Sequence, residues 1–169
     1  METARLEYGF YPATKGLNGN VPVATGTAPA STDPITVHGK FLYQGDTKFW
    51  VKGVTYGTFC PDEEGALFPV REVVEQDFTM MAAQGINSVR TYIPPPTWLL
   101  DIAHRNGLRV MVGLAWEQHV TFLDDRKLVK TIEGRVREGI EACAGHPAVL
   151  CFSIGNEIPP SICLLYTSD

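Results

Sequence analysis

Residues Val149 to Pro160 read VLCFSIGNEIPP. A short apolar run ends in Gly155, and a polar pair, Asn156-Glu157, follows it. The run is too short for a helix core and is bounded by His146-Pro147 and by Pro159-Pro160, so it reads as a buried strand. Side chains alternate along a strand. Val149, Cys151 and Ser153 are therefore expected on one face. Leu150, Phe152 and Ile154 are expected on the other, a bulkier face suited to packing on helices. If the extended geometry persists past Gly155, the smaller face also carries Glu157. A carboxylate delivered to the end of a buried strand invites a chemical role. An Asn-Glu pair also starts loops and caps helices, and the stretch alone does not choose between the two readings.

The residues before this strand supply its context. Residues 1 to 33 are rich in Gly, Pro, Thr, Ala and Asn without a period, which reads as a linker or mobile arm. From Ile35, the β-type runs ITV, FLY and KFWVKGV are separated by turn material, predicting a small hairpin that leads into a longer strand over about Lys48 to Thr55. A polar loop containing CPDEEG follows. Val70, Val73, Val74, Phe78, Met81 and Ala82 then fall at helical spacing, with Gly85 as the stop. A second strand spans Ile86 to Tyr92 (INSVRTY). Thr97 is expected to cap a helix whose buried stripe is Trp98, Leu99, Ile102 and Ala103. A third strand, LRVMVGLAW, starts near Leu108. A last helix buries Leu128, Val129, Ile132, Val136, Ile140 and Cys143, with Asp124 and Asp125 at its favoured negative end.

The core thus reads β-α-β-α-β-α-β with largely apolar strands, the pattern of parallel strands covered by helices. An open doubly wound sheet and a (β/α)8 barrel compete. The glycine-rich phosphate loop of a dinucleotide fold is missing after the first strand, where the chain reads GVTYGTFCP. Polar residues gather instead after several strands: Tyr56; Arg90 and Tyr92; Trp116, Glu117 and His119; Asn156 and Glu157. Drawing a site from many strand ends is how a barrel works. The expectation is an α/β fold, the N-terminal half of a (β/α)8 TIM barrel with about four βα units, spanning 34–161 behind a small β-hairpin.

Composition narrows the function. A net charge of −5 over 169 residues, with no basic tract, argues against nucleic-acid binding. No apolar run is long enough to span a membrane. The first twenty residues lack a signal-peptide core, which leads to an expected cytoplasmic location. Cys60, Cys143, Cys151 and Cys163 show no CxxC spacing; buried free thiols are expected, with neither metal site nor cofactor. Asp62, Glu63 and Glu64 read as a solvated loop, and His104 and His146 receive no role.

The order KGV, GINSVRTY, a Trp and a His after the third strand, and IGNE at the fourth resembles the retaining glycoside hydrolases built on (β/α)8 barrels, such as families 2 and 5, over about Ile35 to Pro160. It looks closest to the glycosidase-like barrel fused to family 2 glycosyltransferases. The resemblance implies that Glu157 is the general acid/base and that Asn156 holds the sugar 2-hydroxyl. Arg90 would orient a nucleophilic carboxylate, while Trp116, His119 and Tyr92 would form the sugar subsite. It also implies an oligo- or polysaccharide substrate and no cofactor. Plainer roles compete: an ion-pair residue for Arg90, core packing for Trp116, a loop residue for His119.

In the family the nucleophile is a Glu on strand seven, beyond this chain, and Glu117 is a poor replacement. Residues 162–169, ICLLYTSD, fit no helix due after strand four and read as a non-native tail on a truncated fragment, which is expected to be inactive alone. Glycosidic cleavage needs a proton donor with a raised pKa and a second carboxylate across the ring. A Glu leaving an apolar strand beside another carboxylate has both causes of such a shift. The competing function is a non-catalytic glycan-binding barrel attached to a family 2 glycosyltransferase. A third reading is an aldolase-like barrel, disfavoured because no Lys stands at the four strand ends.

Overall fold

The computed structural model of the chain describes residues 33–116, 121–156, 158 and 160. The arm before Asp33 and the tail over 162–169 lie outside the described residues. Three short strands come first: β1 (Ile35–His38), β2 (Phe41–Gln44) and β3 (Thr47–Lys48). They form an antiparallel sheet in the order β1-β2-β3. Gly39 and Gly45 turn its corners at φ of 62° and 56°, a left-handed conformation that glycine adopts without a Cβ penalty.

The run read as one strand over Lys48 to Thr55 is split between two sheets. Phe49 N still donates to Leu42 O at 2.8 Å, in the β2 direction. Ladder pairing resumes only at β4 (Gly53–Thr55), which pairs with β5 (Ser88–Thr91). Apolar periodicity carries no mark of where a chain changes hydrogen-bonding partner. The changeover is held by Asn87, whose Oδ1 accepts from Lys52 N and whose Nδ2 donates to Trp50 O, both at 2.8 Å.

The second sheet is parallel and ordered β4-β5-β6-β7, with β6 at Arg109–Gly113 and β7 at Val149–Ser153. Between its strands lie α1 (Arg71–Ala83), α2 (Thr97–Arg105) and α3 (Arg126–Cys143). This is the partial TIM barrel expected from the alternation of strands and helices. The core sits between the sheet and its helices. Val89, Val110 and Val112 pack with Val74 and Phe78 of α1 and with Leu99 and Ile102 of α2.

Two helix starts differ from expectation. Thr97 is the first residue of α2, and Pro96 stands in the cap position with no side-chain hydrogen bond. A proline just outside a helix pre-sets the entering backbone, so Thr97 is not needed as a cap. Val70 and Val73, expected on the buried stripe of α1, are exposed, because this side of α1 has no neighbouring helix among the described residues. Asp125 does cap α3, accepting from Lys127 N and Leu128 N at 2.9 and 3.1 Å.

A bulge alters the reading of β7. Val110 stands level with Val149, but Met111 stands level with Cys151, so Leu150 is the extra residue. Val149 therefore joins Phe152 against the helices, rather than sharing a face with Cys151 and Ser153. Cys151, expected to be a buried thiol, is exposed on the opposite face. Cys60 is also exposed; Cys143 is buried, and burial pushes its thiol pKa up.

Below the sheet, Arg109 is only 5% exposed. Its guanidinium donates to Asp33 O at 2.8 Å and to Pro147 O, tying the entry to β1 to the loop before β7. Burial lowers its pKa, and the nearby Asp33 carboxylate partly offsets that. No helix among the described residues is long and apolar enough to cross a membrane.

Two glycines of α3 test the packing. A Cβ at Gly139 would meet Leu114 Cδ2 at 2.8 Å and Pro94 Cγ at 3.1 Å, whereas at Gly134 nothing lies within 4 Å. Gly134→Ala should raise unfolding stability by about 0.5–1 kcal/mol through helix propensity. Gly139→Ala should lower it by about 1–3 kcal/mol through overpacking. Urea midpoints of the two variants, moving in opposite directions, check this.

Candidate active site

Parallel pairing brings all four strand C-termini to one rim. Register sets Thr55 level with Arg90, Arg90 with Met111, and Met111 with Cys151. This row lies on the face turned away from the helices. One step further along stands Gly113 beside Ser153. A cleft of about 540 Å³ opens there, lined by Arg90, Tyr92, Gly113, Ser153, Gly155 and Asn156 among others.

Two residues singled out from the sequence meet directly. Arg90 Nη2 donates to Asn156 Oδ1 at 2.6 Å. They are 66 positions apart in the chain, and only closure of β5, β6 and β7 into one sheet joins them. The Arg90 Nε is buried and has no hydrogen-bond partner among the described residues. Tyr92 lies beside the guanidinium, with its ring centroid 5.3 Å from Cζ, in range of a cation–π contact. Ser153 Oγ donates to Gly155 O at 3.0 Å and tightens the turn that presents Asn156.

Trp116 reaches the same rim. Its indole N–H donates to Ile154 O, and its ring meets Phe122 edge-on with centroids 5.1 Å apart. The ring is thus half-buried and anchored rather than part of the core. Glu157, His119 and Glu117 lie outside the described residues.

Tyr56, grouped with the rim residues from the sequence, belongs to the other side of the sheet. It is buried, packs edge-on against Phe78 at 5.0 Å, and donates its hydroxyl to Asp77 Oδ2 of α1 at 2.8 Å. Strand alternation explains this, since Tyr56 keeps the parity of Val54 and faces the helices. Burial and the Asp77 carboxylate push its phenol pKa well above the ordinary value of 10.0.

The acidic loop closes on itself. Asp62 Oδ1 accepts from Glu64 N and Ala66 N at 2.9 and 2.7 Å, a local Asx-type turn. Among the described residues, no group of three or more His, Cys, Asp or Glu side chains is placed to hold a metal. At the opposite end of the sheet, His146 Nδ1 accepts from Ala148 N at 3.1 Å, while Nε2 stands 3.2 Å from Asp101 Oδ1. Gly113 and Ser153 were not singled out from the sequence. A Cβ on Gly113 would lie 2.5 Å from Thr91 O, so this glycine permits the close approach of β6 to the end of β5. A glycine late in an otherwise apolar strand was the available signal.

With that geometry in place, similarity to known proteins becomes informative. The family described as glycosyl hydrolases family 2, TIM barrel domain, matches residues 35–166. The chain belongs to that family. No curated protein matches it. Among solved structures, Gas2 of Saccharomyces cerevisiae in a complex with a small compound superposes with a TM-score of 0.59 at 19% identity, covering 78% of this chain and 32% of that one. Gas2p in complex with laminaripentaose gives 0.56 at 17% identity, covering 74% and 31%. A β-glucuronidase of Bacteroides uniformis gives 0.58 at 16% identity, covering 82% and 15%. These likenesses show a shared fold. The chain spans about a third of the length of Gas2 and less of the glucuronidase. It is a glycoside-hydrolase-type TIM barrel domain carrying part of the family 2 barrel.

The Tyr56–Asp77 bond yields a test within this barrel domain. Tyr56→Phe should cost about 1 kcal/mol at pH 7 by deleting one partly buried hydrogen bond to a carboxylate. Because the folded phenol pKa lies above the unfolded one, its contribution is fully present below pH 10 and is lost as pH rises beyond that. The stability gap between wild type and Tyr56→Phe should therefore narrow above pH 10, read from urea midpoints between pH 8 and 11.

Proposed function

We propose that the chain contributes the first four βα units of a retaining β-glycosidase that hydrolyses O-glycosidic bonds in an oligo- or polysaccharide. Glu157 acts as the general acid/base, and Asn156 binds the sugar 2-hydroxyl. Tyr92, Trp116 and His119 border the sugar. The nucleophilic carboxylate comes from the remainder of the barrel and lies beside Arg90. One observation carries this reading: within a family 2 barrel, Arg90 and Asn156 meet at 2.6 Å on the strand C-terminal rim, in a cleft that also holds Tyr92.

The chemistry fits the residues. Cleavage through an oxocarbenium-like transition state needs a proton for the departing oxygen and a carboxylate about 5–5.5 Å from the donor. A carboxylic acid stays protonated near neutral pH when desolvated or when paired with a second carboxylate. A fixed guanidinium at Arg90 keeps the nucleophile ionised, so the two carboxyl groups divide into acid and base. Its Nε, without a partner among the described residues, supplies a donor for that purpose. Asn156, held by Arg90, presents its amide N–H group to a sugar hydroxyl.

The test uses the longer protein that contains this segment, with laminaripentaose, aryl β-glucosides and aryl β-glucuronides as probes. Wild type should hydrolyse at least one of them. Glu157→Gln should lower kcat/KM on the oligosaccharide by about 10²–10⁴-fold. The loss should be smaller on aryl glycosides, whose leaving groups need less protonation. The 169-residue chain alone should show no turnover. Full activity in Glu157→Gln would contradict the assignment. Glycan binding without hydrolysis would favour the alternative, a binding barrel attached to a family 2 glycosyltransferase.

A further inference from the structure

A second cavity lies beside the polar cleft and has no part in the chemistry above. It measures about 130 Å³ and is lined by Tyr56, Phe59, Leu67, Phe68, Tyr92 and Ile93, together with Gly57 and Thr58. Its walls are aromatic and mutually braced. Phe59 meets Tyr56 edge-on at 4.9 Å and lies tilted against Phe68 at 6.5 Å. The one polar atom of Tyr56 is turned away, committed to Asp77. Such a space offers a water almost no hydrogen-bond partners, and an apolar cavity near 150 Å³ stays dry and takes up benzene.

The cavity shares four lining residues with the cleft: Gly57, Thr58, Tyr92 and Ile93. Gly57 sits at a φ of 111°, where other residues are strained, and it leaves the boundary between the two spaces without a side chain. Leu67 stands at the outer side of the cavity and is 45% exposed. Tyr92 thus borders both the polar cleft and the apolar cavity.

We propose that this cavity is a binding pocket for a single aromatic ring, carried by a ligand whose polar part occupies the neighbouring cleft. The attachment of that ring to a sugar rests on the function proposed above; the ring pocket itself does not. Its volume limits the occupant to one ring or a branched alkyl group of similar size. An aryl β-glycoside is the substrate class that fits both spaces at once. The pocket then acts as a specificity element that separates aryl glycosides from those of small alkyl groups such as methyl.

Methyl and amide NMR on the full 169-residue chain tests this, with benzene as the first probe and phenyl and methyl β-glucosides as the second. Benzene should shift the Ile93 and Leu67 methyl signals saturably. Phenyl β-glucoside should shift these and the Asn156 side-chain amide, while methyl β-glucoside should shift the amide alone. Leu67→Trp, which fills the outer part of the cavity, should weaken benzene binding at least tenfold and leave the amide response to methyl β-glucoside within twofold. The benzene titration of the wild-type chain needs no variant. Absence of a saturable benzene shift at Ile93 would overturn the pocket. So would equal effects of the two glucosides on the Ile93 methyl. If benzene enters but neither glucoside moves the Asn156 amide, the ring pocket is supported and the glycoside reading of the cleft fails.

Discussion

Hydrogen-bonded register in the parallel sheet governs what stands at the rim. Thr55, Arg90, Met111 and Cys151 form one level row because each β-strand pairs in parallel with the next. The same ladder places Val54, Val89, Val110 and Val149 on the helix side. A one-residue slip would exchange the two sets and carry Arg90 into the core. The bulge at Leu150 is such a shift confined to one strand, and it sets which β7 residues face the cleft. Gly113 contributes to the same outcome, since any side chain there would collide with the Thr91 and Tyr92 backbone.

Arg90 carries this register into the rim cleft. A half-buried guanidinium requires acceptors; among the described residues one amide oxygen and one aromatic face meet it, and its Nε has no partner. Among the described residues its hydrogen bond is to the neutral amide of Asn156. The opposite end of the sheet uses arginine differently. Arg109 spends its donors on the backbone carbonyls of Asp33 and Pro147 and serves as a structural tie. Two arginines 19 positions apart on adjacent strands thus divide into a rim group and a base group by their place along the strand.

Much of this was legible in the sequence. The alternation of apolar strands with helical stripes gave the parallel sheet, because both periods are set by backbone geometry that tertiary context rarely overrides. Arg90, Tyr92 and Asn156 were legible as rim residues, since each follows or ends a strand in a chain where helices cross over. The failures share a physical cause. Tyr56 was grouped with the rim because it is a polar residue following a strand, yet strand parity aimed it at Phe78 and Asp77. The split of Lys48 to Thr55 and the Leu150 bulge depend on hydrogen-bond partners, which leave no trace in a single strand's side-chain pattern. Arg109 gave no signal, because an arginine opening a strand is common and its backbone acceptors come from distant segments.

The proposed function makes the rim between β5 and β7 one half of a two-carboxylate site that works through a covalent sugar intermediate. The most direct measurement is the configuration of the sugar first released by the longer protein, followed by proton NMR of the anomeric signal before mutarotation. The account predicts that a β-glycoside yields the β-anomer first, the outcome of two successive displacements. Initial appearance of the α-anomer, which requires a single displacement by water, would contradict it.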